Sequence, residues 1–381
     1  MKRNHKTYLI LLLLPLFFAG ILLLASYLFL SRAGEFLTTD EIVSYQAKSK
    51  GVYVSALHSM SFNYKLSLYN HLKPKVVAFG SSRVMQFSGE SFSVPFANLG
   101  SISGPVEALK MLNDNLEHHK PELVIFGVDM WWFNENHPEP ASIPHHNRHI
   151  EKIDPSLSLL LKPSKWLLKG QLSLSDIPAL IDKQGKNLGV YGRLRNDGYD
   201  HFGRYHYNST YTGIRRSDDY EFKASLAKAK AGHKIYSYGD QISPERVEQF
   251  EKLLNRFKEE NIKVILFLPP MAITLLEYME ESGKFNYIND VANYLSNTGL
   301  EFYNYHDPRS IGSNDCEFVD GHHGGAVTYM RLLLDMSLRS NSPLNAMIND
   351  KDIAQKIEEN SGYASSPHNN EIDFLNLKCS K

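Results

Sequence analysis

Residues 7 to 30, TYLILLLLPLFFAGILLLASYLFL, carry no charged side chain. As a helix rising about 1.5 Å per residue, this run reaches about 36 Å, enough to cross a hydrocarbon core of about 30 Å. Lys2, Arg3 and Lys6 precede it, and Arg32 is the only basic residue immediately after it. The positive-inside rule then predicts a cytoplasmic amino terminus, with the rest of the chain outside. A cleaved signal peptide is the rival reading, but its apolar region spans about 7–15 residues and ends at small residues. Leu28-Phe29-Leu30 makes a poor cleavage site, and Pro15 inside the run is tolerated in a membrane helix. The expectation is an uncleaved anchor over residues 1–31 in the inner or plasma membrane. The remaining chain would be periplasmic or extracellular.

Beyond the anchor the chain is ordinary for a globular protein. Of 381 residues, 43% are hydrophobic and 22% charged, and a mean hydropathy of −0.32 excludes a polytopic membrane protein. Lys and Arg total 41 against 42 Asp and Glu, so no basic excess exists to neutralise a nucleic-acid backbone. Two cysteines exclude a disulfide framework and a zinc site built mainly from thiolates. Outside the reducing cytoplasm a Cys316–Cys379 disulfide is permitted, although nothing in the sequence demands it.

Residues 32–70 read as a juxtamembrane stretch leading into a helical segment. From residue 71 to about 340, strand and helix signals alternate. The strands are Lys75–Phe79, Phe96–Leu99, Glu122–Phe126, Lys263–Leu268 and Leu300–Tyr305. Helices are expected from Pro105 to Glu117, after Ser243-Pro244-Glu245, over about Phe285 to Ser296, and around Val327, Met330, Leu333 and Leu334. Such alternation predicts an α/β fold, a parallel sheet covered on both faces in three α/β/α layers. The loops at the carboxyl ends of its strands would carry the site. An insertion of different texture, about residues 131–240, interrupts the pattern with Trp131, Trp132, Trp166 and the stretch His145-His146-Asn147-Arg148-His149. Residues 341–381 form a polar tail that reads as a short helix followed by disorder.

Two short motifs carry chemistry. Gly80-Ser81-Ser82 follows a strand and precedes a helix signal, so a hydroxyl would emerge beside backbone N–H groups able to face an oxyanion. Taken alone, the triplet is also an ordinary turn. Asp320-Gly321-His322-His323 places a carboxylate three residues from an imidazole, spacing that lets it orient a general base. A polar helix-capping loop or a metal site are the other readings of that stretch. His145 and His149 have i, i+4 spacing, but Pro144 and their polar neighbours favour a solvated loop over a metal site. Trp131 and Trp132 read as core before they read as sugar-stacking surfaces.

Taken in order, VVAFGSSR, NLGSISG and DGHH resemble the blocks of the SGNH (GDSL-type) hydrolase superfamily over about residues 74 to 338. The resemblance implies Ser82 as nucleophile, Asp320 and His323 as its partners, and the N–H groups of Ser82 and Gly104 as the oxyanion hole. One block departs: where the family carries an oxyanion-binding Asn after the third strand, this chain has Asp129 in Phe126-Gly127-Val128-Asp129. An ionised carboxylate cannot donate to an oxyanion. Either Asp129 is protonated, or it turns away, or Asn134, Asn136 or backbone substitutes. The chain is similar in this respect to anchored members that modify cell-envelope polymers, of the alginate O-acetylation and teichoic acid D-alanyl transfer type.

The resemblance therefore implies a serine-dependent O-acyltransferase acting on an extracytoplasmic polysaccharide through an acyl-Ser82 intermediate, without metal or cofactor. An esterase releasing acyl groups from glycans and an inactive glycan-binding scaffold are the alternatives. Acyl-coenzyme A is cytoplasmic, so a transferase here would need a membrane-embedded acyltransferase partner to supply acyl groups.

Overall fold

The computed structural model describes residues 2–102, 115, 118–138, 151–182, 185–341 and 343–379. Five short apolar segments form one parallel sheet: β1 (Val76–Phe79), β2 (Phe96–Leu99), β3 (Leu123–Gly127), β6 (Lys263–Leu268) and β7 (Glu301–Asn304). Their order is β2-β1-β3-β6-β7. These strands fall where the alternating pattern predicts them, each within a residue or so. The order reverses between β1 and β3, and in open parallel sheets the crevice beyond the strand ends at such a point is where ligands bind.

β1, β3 and β6 read as near-continuous apolar runs because both faces are buried, whereas the edge strand β7 is partly exposed. Val77, Phe79, Val124, Phe126, Leu266 and Leu268 point to one face. There they meet Phe62 and Tyr69 of α3 (Ser61–Leu72), Phe250, Leu253 and Phe257 of α5 (Pro244–Glu259), and Val291 and Leu295 of α7 (Tyr287–Ser296). Val76, Ala78, Ile125, Ile265 and Phe267 point to the other face. They pack on Val327, Met330 and Leu333 of α8 (Ala326–Arg339) and Ile353 of α9 (Asp350–Asn360). Pro244 opens α5 as expected, but Ser243 caps it through backbone geometry without a side-chain bond. The helix expected over Pro105 to Glu117 lies outside the described residues.

Ahead of the sheet, α1 (Lys2–Ala33) contains the apolar run, and it is long and apolar enough to cross a membrane. Its last turn is buried in the folded domain, where Leu30 and Ala33 join Ile42 and Val43 of α2 (Thr39–Ser49). Thr38 and Glu41 close a reciprocal capping box at the start of α2. The juxtamembrane stretch is thus two packed helices, α2 and α3. The insertion contributes short helices, the two-residue strands β4 (Gly198–Tyr199) and β5 (Tyr205–His206), α4 (Lys223–Lys230) and extensive loop.

The carboxyl-terminal tail is ordered, contrary to the expectation from its polarity. Phe374 and Leu375 are buried with Tyr211, Phe222 and Phe318, and the Ala364 carbonyl accepts from the Ala326 N–H at 2.6 Å. Buried Glu317 receives two nitrogens of Arg331 together with the Gly362 N–H, tying the tail to α8. Cys316 and Cys379 form a disulfide across a separation of 63 residues. Closing a loop of that length restricts the unfolded chain by about 4 kcal/mol in the entropic account. A few apolar anchors and one covalent link outweigh the polar composition.

Candidate active site

The site begins at the end of β1. Gly80 has φ of +144°, and a Cβ there would meet the Gly127 carbonyl at 2.7 Å, so the chain can tuck against the end of β3 only with glycine. The following segment makes a single 3-10 turn, Ser82–Val84, capped by the Ser81 hydroxyl, which accepts from the Arg83 N–H at 3.2 Å. The longer helix expected at this point does not form. Ser82 is half-buried, and its own N–H donates to none of the described residues.

The second component arrives from the loop before α8. Ser82 Oγ lies 2.8 Å from His323 Nε2, and His323 Nδ1 lies 2.8 Å from Asp320 Oδ2. Asp320 also accepts the backbone N–H groups of His322 and His323 through Oδ1 at 3.0 and 2.9 Å. These three residues, 241 positions apart at the extremes, form a continuous hydroxyl–imidazole–carboxylate relay. Burial by itself would raise the Asp320 carboxyl. The adjoining imidazoles and these hydrogen bonds outweigh it and hold the group well below the usual carboxylate range. His323 is thereby oriented with Nδ1 toward a carboxylate and Nε2 toward the hydroxyl, the geometry a general base requires.

His322, between them, is pushed down to about 3 by burial, so it is neutral near pH 7. Its Nδ1 lies 3.2 Å from the hydroxyl of fully buried Tyr236 and 3.2 Å from Asp320 Oδ1. Asp320, His322 and His323 are close enough together to be considered as cation ligands. Both His323 nitrogens, however, are already committed to hydrogen bonds within the relay.

Beneath the serine sits Arg83, 1% exposed. Its Nη1 meets Asp129 Oδ1 at 3.2 Å, Nη2 donates to the Pro269 and Pro270 carbonyls, and Nε donates to the His322 carbonyl. One guanidinium thus joins the loops after β1, β3 and β6 to the histidine loop. Its ring-facing side lies 5.3 Å from the Trp131 ring, placing that tryptophan in the core, while Trp132 packs half-buried against Phe126. Asp129 is accordingly held through Oδ1 in a buried ion pair. Burial raises its carboxyl, and Arg83 and Ser81 oppose the rise.

The other donors considered for the third block are spent elsewhere. Fully buried Asn134 donates to the Ser237 carbonyl at 2.7 Å and accepts from the Asn136 N–H at 2.8 Å. Asn136 donates to the Tyr238 carbonyl. Neither faces Ser82, because the sequence places them in a turn that braces the loop of residues 237–239. Gly104 and His145–His149 lie outside the described residues.

Three supports of the histidine loop escaped the sequence reading. Asp219 of the insertion accepts from the Gly321 N–H at 2.9 Å and from Ser225, the Gly321 carbonyl accepts from the Ala272 N–H, and Arg83 holds the His322 carbonyl. A lone arginine within the apolar string VVAFGSSRVM was a readable signal for Arg83. Asp219 gave none.

His306, buried just past β7, is pushed down to about 3 by burial and by the charge of Arg83. Between the unfolded value of about 6.5 and the folded value, the unfolded chain binds a proton that the folded chain does not. Its contribution therefore weakens as pH falls through that window, by about 1.4 kcal/mol per unit. Denaturant unfolding from pH 6 to pH 4 is expected to show that much less acid sensitivity in His306→Gln than in the parent.

No protein-family model and no curated protein matches this chain.

Proposed function

We propose that this chain is a membrane-anchored, extracytoplasmic, serine-dependent O-acyltransferase of the SGNH type, with a three-layer α/β/α domain, acting on a cell-envelope or secreted polysaccharide. The observation that carries the reading is the relay from Ser82 through His323 to Asp320, with both links at 2.8 Å. The helix α1 supports placing it at a membrane surface.

In this reading Ser82 Oγ attacks the carbonyl carbon of an ester or thioester as its proton passes to His323 Nε2. The Ser82 N–H and, by resemblance, the Gly104 N–H face the oxyanion; losing one such donor costs on the order of 10²–10³ in rate. Collapse expels the alcohol or thiol, which takes the proton from His323, and leaves an acyl-Ser82 ester. A sugar hydroxyl then gives its proton to His323, attacks the ester carbonyl and departs as the O-acylated glycan, restoring Ser82. Water in place of the sugar gives an esterase. A membrane-embedded acyltransferase would supply the acyl group in the cell.

The test is to incubate the full chain, in lipid nanodiscs, with an activated acyl ester and candidate oligosaccharides, and to follow products by mass spectrometry. Acylated sugar is the expected product. Free acid alone, formed equally with and without sugar, would replace the transferase with an esterase. Neither product, together with no acyl adduct on Ser82, would overturn both.

A further inference from the structure

Among the described residues outside α1, eight large apolar side chains are exposed, and five of them fall within residues 157–181: Leu157, Leu167, Leu168, Leu174 and Ile181. This part of the insertion folds as three short helices, Leu157–Leu160, Lys162–Leu168 and Ile177–Ile181, of which the first and third pack on α1. Leu168 is 88% exposed and Leu174 73%. Lys162, Lys165 and Lys169 punctuate the same stretch, Trp166 lies among them, and Asp176 is its only acid. Leucines with interspersed lysines and a tryptophan make the composition of a helix that lies in a bilayer interface.

The position along α1 decides the partner. A groove of about 530 Å³ runs between Leu22, Ala25 and Phe29 of α1 and Leu167, Ile177 and Ile181 of the insertion, with Arg32 at one end. Leu22 precedes Arg32 by ten residues, about 15 Å of helix. With Arg32 at the headgroups, Leu22 and Ala25 lie within the outer half of a hydrocarbon core about 30 Å thick. The insertion residues that share the groove lie at the same depth. Leu167 and Ile181 thus share a groove with the apolar surface of α1, and the exposed Lys165 and Lys169 are free to meet phosphate headgroups, whereas Lys162 donates to the Leu57 carbonyl.

We infer that residues 157–181 form a membrane-embedded collar, inserted into the outer leaflet beside α1, which holds the domain against an anionic phospholipid surface; acyl chains of that leaflet fill the groove. The inference rests on α1 crossing the membrane and is independent of the chemistry at Ser82. Its physical consequence is a domain fixed in height and orientation over the bilayer, where an anchor alone would leave it to swivel.

The native cysteines are paired, so one introduced cysteine carries a unique nitroxide label. The full chain with Leu168→Cys or Leu174→Cys would be placed in nanodiscs containing phosphatidylglycerol, with Leu16→Cys on α1 and Leu338→Cys on α8 as lipid and water references. Collision with oxygen and with a water-soluble nickel chelate is read by spin-resonance power saturation. Labels at 168 and 174 are expected to favour oxygen, as at 16, with the Leu338→Cys label favouring nickel. Nickel access at 168 and 174 equal to that at 338 would overturn the collar. So would nickel access in nanodiscs combined with protection in native membranes, which would assign the surface to a membrane protein. Because the readout involves no catalysis, its failure is separable from failure of the acyl-transfer reading.

Discussion

Alanine at position 82 is expected to lower turnover of an acyl ester by on the order of 10⁴–10⁶, and adding alanine at 323 to lower it little further. The reason is that the two side chains act as one unit. In the proposed reaction His323 Nε2 takes the first proton from the oxygen 2.8 Å away, and without that oxygen no acyl-serine can form for the imidazole to serve. Each single variant, Ser82→Ala or His323→Ala, should therefore approach the rate of the double variant. Covalent labelling by a serine-reactive phosphonate should vanish in Ser82→Ala and slow sharply in His323→Ala. Asp320→Asn keeps the shape but offers His323 Nδ1 an amide in place of a carboxylate, and should fall nearly as far. Independent, multiplying losses from Ser82→Ala and His323→Ala would show that the two do not cooperate, and the relay would have no catalytic meaning.

The second large effect is expected at Arg83. Arg83→Met should cost about 3–5 kcal/mol in denaturant unfolding, because it leaves Asp129 as a buried carboxylate without its counter-charge. It also removes the donors of the Pro269, Pro270 and His322 carbonyls. The double variant Arg83→Met/Asp129→Asn should recover part of that cost, and the shortfall from additivity measures the pair. The pH dependence has a definite sign. Burial already raises the Asp129 carboxyl, and losing Arg83 raises it further, above its unfolded value. A group raised in the folded state contributes stability that is present at low pH and lost as pH rises through the folded value. The defect of Arg83→Met should therefore be smaller at pH 5 than at pH 8. A cost below about 1 kcal/mol, independent of pH, would show the guanidinium to be an onlooker.

The sheet was legible because its strands are buried on both faces, so VVAF, LVIF and KVILFL are continuous apolar runs with no amphipathic ambiguity. Position was harder to read where long-range contacts decide it. α6 (Ile273–Ser282) follows two prolines and was missed, although its buried Leu275 and Met279 belong to the main core. The tail departs from its polar reading because two buried side chains, Phe374 and Leu375, and the disulfide at Cys379 make up little of its composition yet fix its place. Asp129 showed the limit most clearly. Its identity left open whether it is protonated, turned away or replaced by another donor, and only the structure shows it facing Arg83.

By itself the sequence determined the apolar helix and the parallel α/β sheet, because each depends on local pattern, while Ser82, Asp320 and His323 were singled out as candidates by the resemblance of their short motifs. The tertiary structure alone decided that a serine and a histidine 241 residues apart meet at 2.8 Å. It also placed one buried arginine beneath them to bind four loops, and brought part of the insertion against α1. Those outcomes follow from where the strand ends converge and which surfaces remain to be covered, and no local pattern in a chain encodes either.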